Sequence, residues 1–158
     1  MFRVETTFNA PLEKVLEATN RAFTDPTESL PGACQKKILK EYNENLLVMH
    51  AKFSSPLGFE DRDFITLSYS ESLPEENFAI RACTSIEKEE YPKESGYVRG
   101  DMMGGLIFRG LDNNTTKLTH IMHVDLKGNA KIAPGFSFKK SCIKSSLGNV
   151  AILRKLLD

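Results

Sequence analysis

Tryptophan is absent from the 158 residues, and cysteine is confined to Cys34, Cys83 and Cys142. Three widely spaced thiols, odd in number, do not form a disulfide framework, and a reducing cytoplasmic setting suits them. No stretch of about 18 consecutive apolar residues occurs, so the sequence offers no candidate for a membrane-spanning helix. The opening Met1-Phe2-Arg3-Val4-Glu5-Thr6-Thr7 alternates apolar and polar positions and lacks the continuous apolar core of a secretory leader. Excess charge is also missing. Lys plus Arg and Asp plus Glu each count 21. That balance leaves no electrostatic footprint for nucleic acid, and none is expected as a partner. His50, His120 and His123 form no metal pattern with the cysteines, and no Cys-x-x-Cys, Gly-x-Ser-x-Gly or phosphate-loop signature occurs. No metal, cofactor or catalytic residue is therefore expected.

What is present is an ordinary globular balance, 41% hydrophobic and 27% charged. It fits one domain over residues 1–158. Residues 1–8 alternate as a strand. Asn9, a possible N-cap, and Pro11, suited to a first turn, open a helix whose stripe is Leu12, Val15, Leu16 and Thr19. From 35 to 127 the pattern is of strands and short turns: Ile38 to Tyr42, Leu46 to Phe53, Asp63 to Ser70, Phe78 to Ser85, Tyr97 to Leu111 and Thr116 to Lys127. Gly104-Gly105 predicts a bulge or bend in the fifth of these. Residues 136–157 then show helical periodicity, with Ile143, Leu147, Val150, Leu153 and Leu157 on one face.

The expected fold is α+β: a curved antiparallel sheet of about seven strands around a long C-terminal helix, with a shorter helix after the first strand. Such a sheet either packs solidly against its helix or leaves a hollow that holds a small ligand. Periodicity alone leaves both open.

Four stretches, in matching order, are similar to one family. Ala10-Pro11-Leu12-Glu13-Lys14-Val15-Leu16 resembles the start of its first sheet-side helix, and Arg62-Asp63-Phe64-Ile65 its Arg-Asp-Phe-Val strand opening. Tyr97-Val98-Arg99-Gly100 resembles its Val-Ile-Arg strand. His123-Val124-Asp125-Leu126-Lys127-Gly128, with Pro134 beyond, resembles the Asp-Leu-Lys-Gly-x-x-Pro junction before its last helix. The family is the START (StAR-related lipid-transfer) domain of the helix-grip superfamily, here in a short version without the usual N-terminal helix and first two strands. The resemblance implies non-catalytic binding of one lipid in an apolar cavity between sheet and helix, and its transport between membranes. The lipid would be a phospholipid, a sphingolipid or sterol-like. A transient, peripheral membrane surface is the second implied partner, and an uncovered apolar back of the sheet would suit a homodimer.

By alternation, Leu47, Met49 and Ala51 share one face, as do Phe64, Thr66 and Ser68, and these are the expected lining. Met49 and Ser68 fall where cholesterol-binding relatives resemble one another in pairing an acid with an arginine, so that pair is missing. Ser68 is either a ligand partner or a plain strand serine. Arg81, Arg99 and His120 complete the strand candidates; Ile143, Leu147 and Val150 are the helix candidates. A buried arginine would mark a phospholipid head. Leu57 and Phe59 fall where the family has a closing loop, and with Phe138 and Cys142 they are the expected gate. Two other classes compete: a helix-grip enzyme of cyclase or dehydratase type, using His120 with Asp125 or Asp101, and an interaction module with a filled core.

Overall fold

The computed structural model describes residues 1–24, 34–55, 60–91, 93–128 and 138–157; the side chains of 23, 24, 34, 138–143 and 145 are not among those described. The elements are β1 (Phe2–Phe8), α1 (Leu12–Thr24), β2 (Cys34–Asn43), β3 (Leu46–Phe53), β4 (Asp61–Leu73), β5 (Phe78–Ser85), β6 (Tyr97–Arg99), β7 (Asp101–Asp112), β8 (Thr115–Asp125) and α2 (Phe138–Leu157). They form one eight-stranded sheet in the order β1-β8-β7-β5-β4-β3-β2, with β6 paired to β4. Every pairing is antiparallel except β6 with β4. The architecture is the expected helix-grip arrangement.

Local chemistry sets most boundaries. The Pro11 carbonyl accepts the first helical hydrogen bond from Val15 N at 3.2 Å, which starts α1 one residue past the proline. At the β2–β3 turn, Asn43 Oδ1 accepts from Asn45 N at 2.9 Å. Asp112 Oδ1 does the same from Asn114 N at 2.8 Å in the β7–β8 turn.

The strand expected from Tyr97 to Leu111 breaks at Gly100, not at Gly104-Gly105. Before the break, β6 pairs with the start of β4; after it, β7 pairs with β5 and β8. A Cβ at Gly100 would press on the Phe64 ring, 2.8 Å from its Cζ. Gly104 and Gly105 stay in register with both neighbouring strands. Their role is close approach: a side chain on Gly104 would collide with the Ile121 carbonyl, and one on Gly105 with that of Arg81. The register shift in β7 lies instead between Gly110 and Asp112.

The register divides the side chains between two faces. The inner face carries Phe2, Val4, Thr6 and Phe8 of β1, then His120 and Leu118, Leu106 and Phe108, Arg81 and Ala79, Ser68 and Thr66, and Leu47 and Met49. Among the described residues, one contiguous hydrophobic cluster occupies one end of it. There Phe8, Ala79, Phe108 and Leu118 pack with Leu12, Val15, Ala18 and Ala22 of α1 and with Val150 and Leu153 of α2. Thr116 Oγ1 donates to the Ala10 carbonyl at 2.8 Å and ties β8 to the approach to α1. Helix α2 lies mainly against α1 and β1. Its buried face is turned from the expected stripe: Ser146, Val150 and Leu153 go inward, whereas Leu147 stays 52% exposed.

Candidate functional site

The remainder of the inner face belongs to β2, β3, β4 and the near ends of β5, β7 and β8. Ala51 lies opposite Phe64, Met49 opposite Thr66 and Leu47 opposite Ser68. All six expected strand-lining residues therefore share one face. Ala51, Phe64 and Thr66 are buried, while Leu47, Met49 and Ser68 are half-buried. Phe53 and Phe64 meet edge to face, 5.5 Å between ring centroids. Met102 and Met122 extend this surface across β7 and β8, half-buried as well.

A row with two polar members, His120 and Arg81, borders the core. Val4, His120, Leu106 and Arg81 lie side by side across four strands, one step from Leu118, Phe108 and Ala79. His120 Nδ1 and Ser146 Oγ of α2 are 2.7 Å apart, and Phe2 packs edge-on against the imidazole. Burial pushes the His120 pKa below its ordinary 6.5, favouring the neutral ring. The Arg81 guanidinium donates to Asn20 Oδ1 of α1. Burial likewise lowers the Arg81 pKa. Nearby chemistry on β5 is similar: burial raises the Cys83 thiol, only partly countered by a backbone bond at Gly104.

Arg99 does not join this group. In β6 it pairs with Asp63, which points to the outer face, so the two meet there. Nε donates to Asp63 Oδ1 at 3.0 Å and the terminal nitrogen to Oδ2 at 2.8 Å, a two-pronged pair. His50 Nε2 lies 2.9 Å from the same Oδ2. Asp63 is fully buried. Burial alone would raise its pKa, but the bonds from Arg99 and His50 outweigh that and hold it below the ordinary 3.8. Residues 86–91 and 93–96 strap this triad to the sheet. Arg99 donates to the Tyr91 carbonyl at 3.4 Å, Lys52 pairs with Glu94 at 2.6 Å, and Lys88 donates to the Tyr42 hydroxyl at 3.3 Å. A cleft of about 310 Å³ lies on this face, between the strap and Leu39, His50 and Ile65. Another, about 370 Å³, opens at the β2–β3 turn. Neither is the space between the inner face and α2. Val48 and Ile65, on the sheet's back, are buried.

Arg62, on the inner face, reaches the β8–α2 link instead of a ligand. It donates to the carbonyls of Leu126 and Lys127, both at 3.2 Å, and to that of Glu60. Asp125 accepts from Lys127 N at 3.0 Å and shapes the same link. Asp101 pairs with Lys127 Nζ at 2.5 Å. Asp101 and Asp125 sit opposite each other on the outer face, across the sheet from His120, so the structure does not assemble that acid–base pair. Leu57 and Phe59 lie outside the described residues, as do the side chains of Phe138, Cys142 and Ile143. The polar contributions of Ser146 and Asn20 had no sequence signal, because each depends on which helix face the sheet receives.

Among the described residues, no helix is long and apolar enough to cross a membrane, and no cluster of His, Cys, Asp or Glu could hold a metal ion. No curated protein sequence matches the chain. Solved structures do. Human StAR-related lipid transfer protein 5 is similar over 98% of this chain and 74% of its own, with 22% identity and a TM-score of 0.78. The human StarD13 (DLC2) lipid transfer and protein localization domain matches over 99% and 76%, with 22% identity and a TM-score of 0.75. The Zhui aromatase/cyclase of Streptomyces sp. R1128 is further off: 16% identity and a TM-score of 0.56, over 99% of this chain and 89% of its own. At these identities the likeness is one of fold. The sequence itself goes further, since the model of the START domain family matches residues 34–150, and the chain belongs to that family.

Proposed function

We propose that the whole chain acts as one non-catalytic lipid-binding domain that takes up a single lipid between the inner face and α2 and moves it between membranes. The observation behind this is the uneven inner face. Among the described residues its contiguous core cluster lies at one end, while at the other Ala51 and Phe64 are buried but Leu47, Met49, Met102 and Met122 are only half-buried, and Ile38, in register with Met49, is 51% exposed. Apolar side chains left in this state gain about 25 cal/mol for each Å² a lipid covers. Family membership supports the same reading at the level of lipid binding. Leu57, Phe59, Phe138 and Cys142 remain the proposed gate, meeting a cytoplasmic membrane surface peripherally during exchange.

The separation of His120 from Asp101 and Asp125 argues against the cyclase alternative. Native mass spectrometry of the purified protein, with extraction of whatever it carries, tests the proposal. One lipid per chain, and transfer of labelled lipid between liposomes, are expected. A protein that captures no lipid and transfers none removes the reading.

A further inference from the structure

We propose that the open edge of β1 is a dimer interface, at which a second copy of this chain adds its own β1 antiparallel across a twofold axis through Val4. The interface is independent of lipid uptake and uses the edge of the sheet, not its back. The two ends of the sheet differ. β1 and β2 are its edge strands. β2 is guarded against further pairing: it carries Lys36, Lys37 and Lys40, and its register shifts twice against β3. β1 has no such guard. Phe2–Phe8 contains no lysine and no proline, and it pairs with β8 residue for residue without a shift. Among the described residues no strand lies on its other side. A straight edge of seven residues is a template for another strand, which its outward N–H and C=O groups can bond.

Charge selects the partner and the register. On the outer face β1 presents Arg3 and Glu5, 2.5 Å apart and both exposed. A second β1 laid antiparallel with Val4 opposite Val4 sets each Arg3 against the Glu5 of the other copy. On the inner face it sets Phe2 against Thr6. An axis at Glu5 would oppose Glu5 to Glu5, and one at Arg3 would oppose Arg3 to Arg3, both repelling. A slip of one residue is excluded, because it would exchange the two faces. A second copy carries this complement by symmetry, since an isologous contact pairs each charge twice.

Helix α2 gives an independent observation at the same place. Leu147 is 52% exposed beside the buried Ser146. Arg154, two turns further along the same flank, donates to Thr6 Oγ1 at 3.1 Å, so this flank is turned toward β1. Ser146 Oγ lies 2.7 Å from His120 Nδ1, and His120 is the register partner of Val4. Leu147 therefore stands beside the open edge at the level of Val4, where the axis passes. Two copies bring Leu147 to Leu147 over the joined strands, and the apolar side chain that one copy leaves in water is covered.

Sedimentation velocity on the full chain, with light scattering, forms the test. A dimer is expected at about 100 μM. Arg3→Glu and Leu147→Asp change exposed positions, so each should leave the melting temperature in place while weakening the dimer roughly tenfold or more. Glu5→Arg should also dissociate it. Arg3→Glu mixed with Glu5→Arg should pair again as a heterodimer, because every acid then faces an arginine of the other copy. Should Glu5→Arg fold poorly through loss of its Lys117 contact, Leu147→Asp keeps the test open. A chain that remains monomeric at about 100 μM overturns the proposal. So does a dimer that survives Arg3→Glu or Leu147→Asp, since another surface then carries it. Two folded charge variants that do not pair on mixing overturn it as well.

Discussion

Phe108 and Met49 both point into the inner face, yet they live in different surroundings. Phe108 is sealed between α1, α2 and the strands beside it, together with Ala79, Leu118 and Val150. Met49, on β3, sits five strands from the β1 edge on which α2 rests, half-buried between Ile38 and Thr66. The same alternation of apolar residues thus yields a folded core at one end and, among the described residues, a partly covered surface at the other. The cause is the reach of the helices: α1 and the inward face of α2 converge on β1, β8 and β7. Stability is therefore concentrated at one end of this surface and the proposed ligand site at the other, and substitutions can separate them.

The largest effect is expected from Phe108→Ala, at a fully buried site. It should cost about 3–5 kcal/mol in urea unfolding. Next, Arg99→Ala strips Asp63 of its two-pronged partner and leaves a buried charge, costing about 3 kcal/mol. The same pair gives a pH signature. Because Asp63 has its folded pKa held below 3.8, its contribution is present above that value and is lost as pH falls through the lower folded one. Acid titration of the unfolding midpoint checks this, and Asp63→Asn should flatten the response.

Met49→Ala should reverse the pattern. Its stability cost is expected to be about 1 kcal/mol, since the side chain is only half-buried, whereas lipid captured per chain in native mass spectra should drop severalfold. A Met49→Ala protein that unfolds as readily as Phe108→Ala, with lipid content unchanged, would erase the distinction between the two ends. The smallest effect belongs to His120. Its folded pKa lies below 6.5, so the unfolded chain takes the proton more readily. The contribution is complete above pH 6.5 and declines as the solution is acidified below it. Thermal melts between pH 7.5 and pH 5 should show that decline, with His120→Gln removing it.

The parts of this comparison legible in the sequence were those that depend on neighbours along the chain. The period of two placed Leu47, Met49 and Ala51 opposite Ser68, Thr66 and Phe64. The limits of Phe78–Ser85 and Leu46–Phe53 followed from the turns around them. What escaped was set by distant partners. Arg99 turns outward only because β6 pairs in parallel with β4, a choice that nothing near Arg99 encodes. Leu147 fits an apolar stripe, but the helix presents Ser146 because His120 is there to meet it. The buried back of the sheet under residues 86–91 and 93–96 arises in the same way, from Lys52, Tyr42 and Arg99 holding residues that lie outside every strand expected from the sequence.

Arg62 couples these regions in time as well as in space. Its guanidinium joins residue 60, at the head of β4, to residues 126 and 127, at the foot of β8. A tether spanning more than sixty residues of chain closes slowly, because loop entropy must be overcome before any bond rewards it. Through it the exit from β8 toward α2 is pinned to the head of β4, so the sheet itself fixes where the chain departs for its last helix.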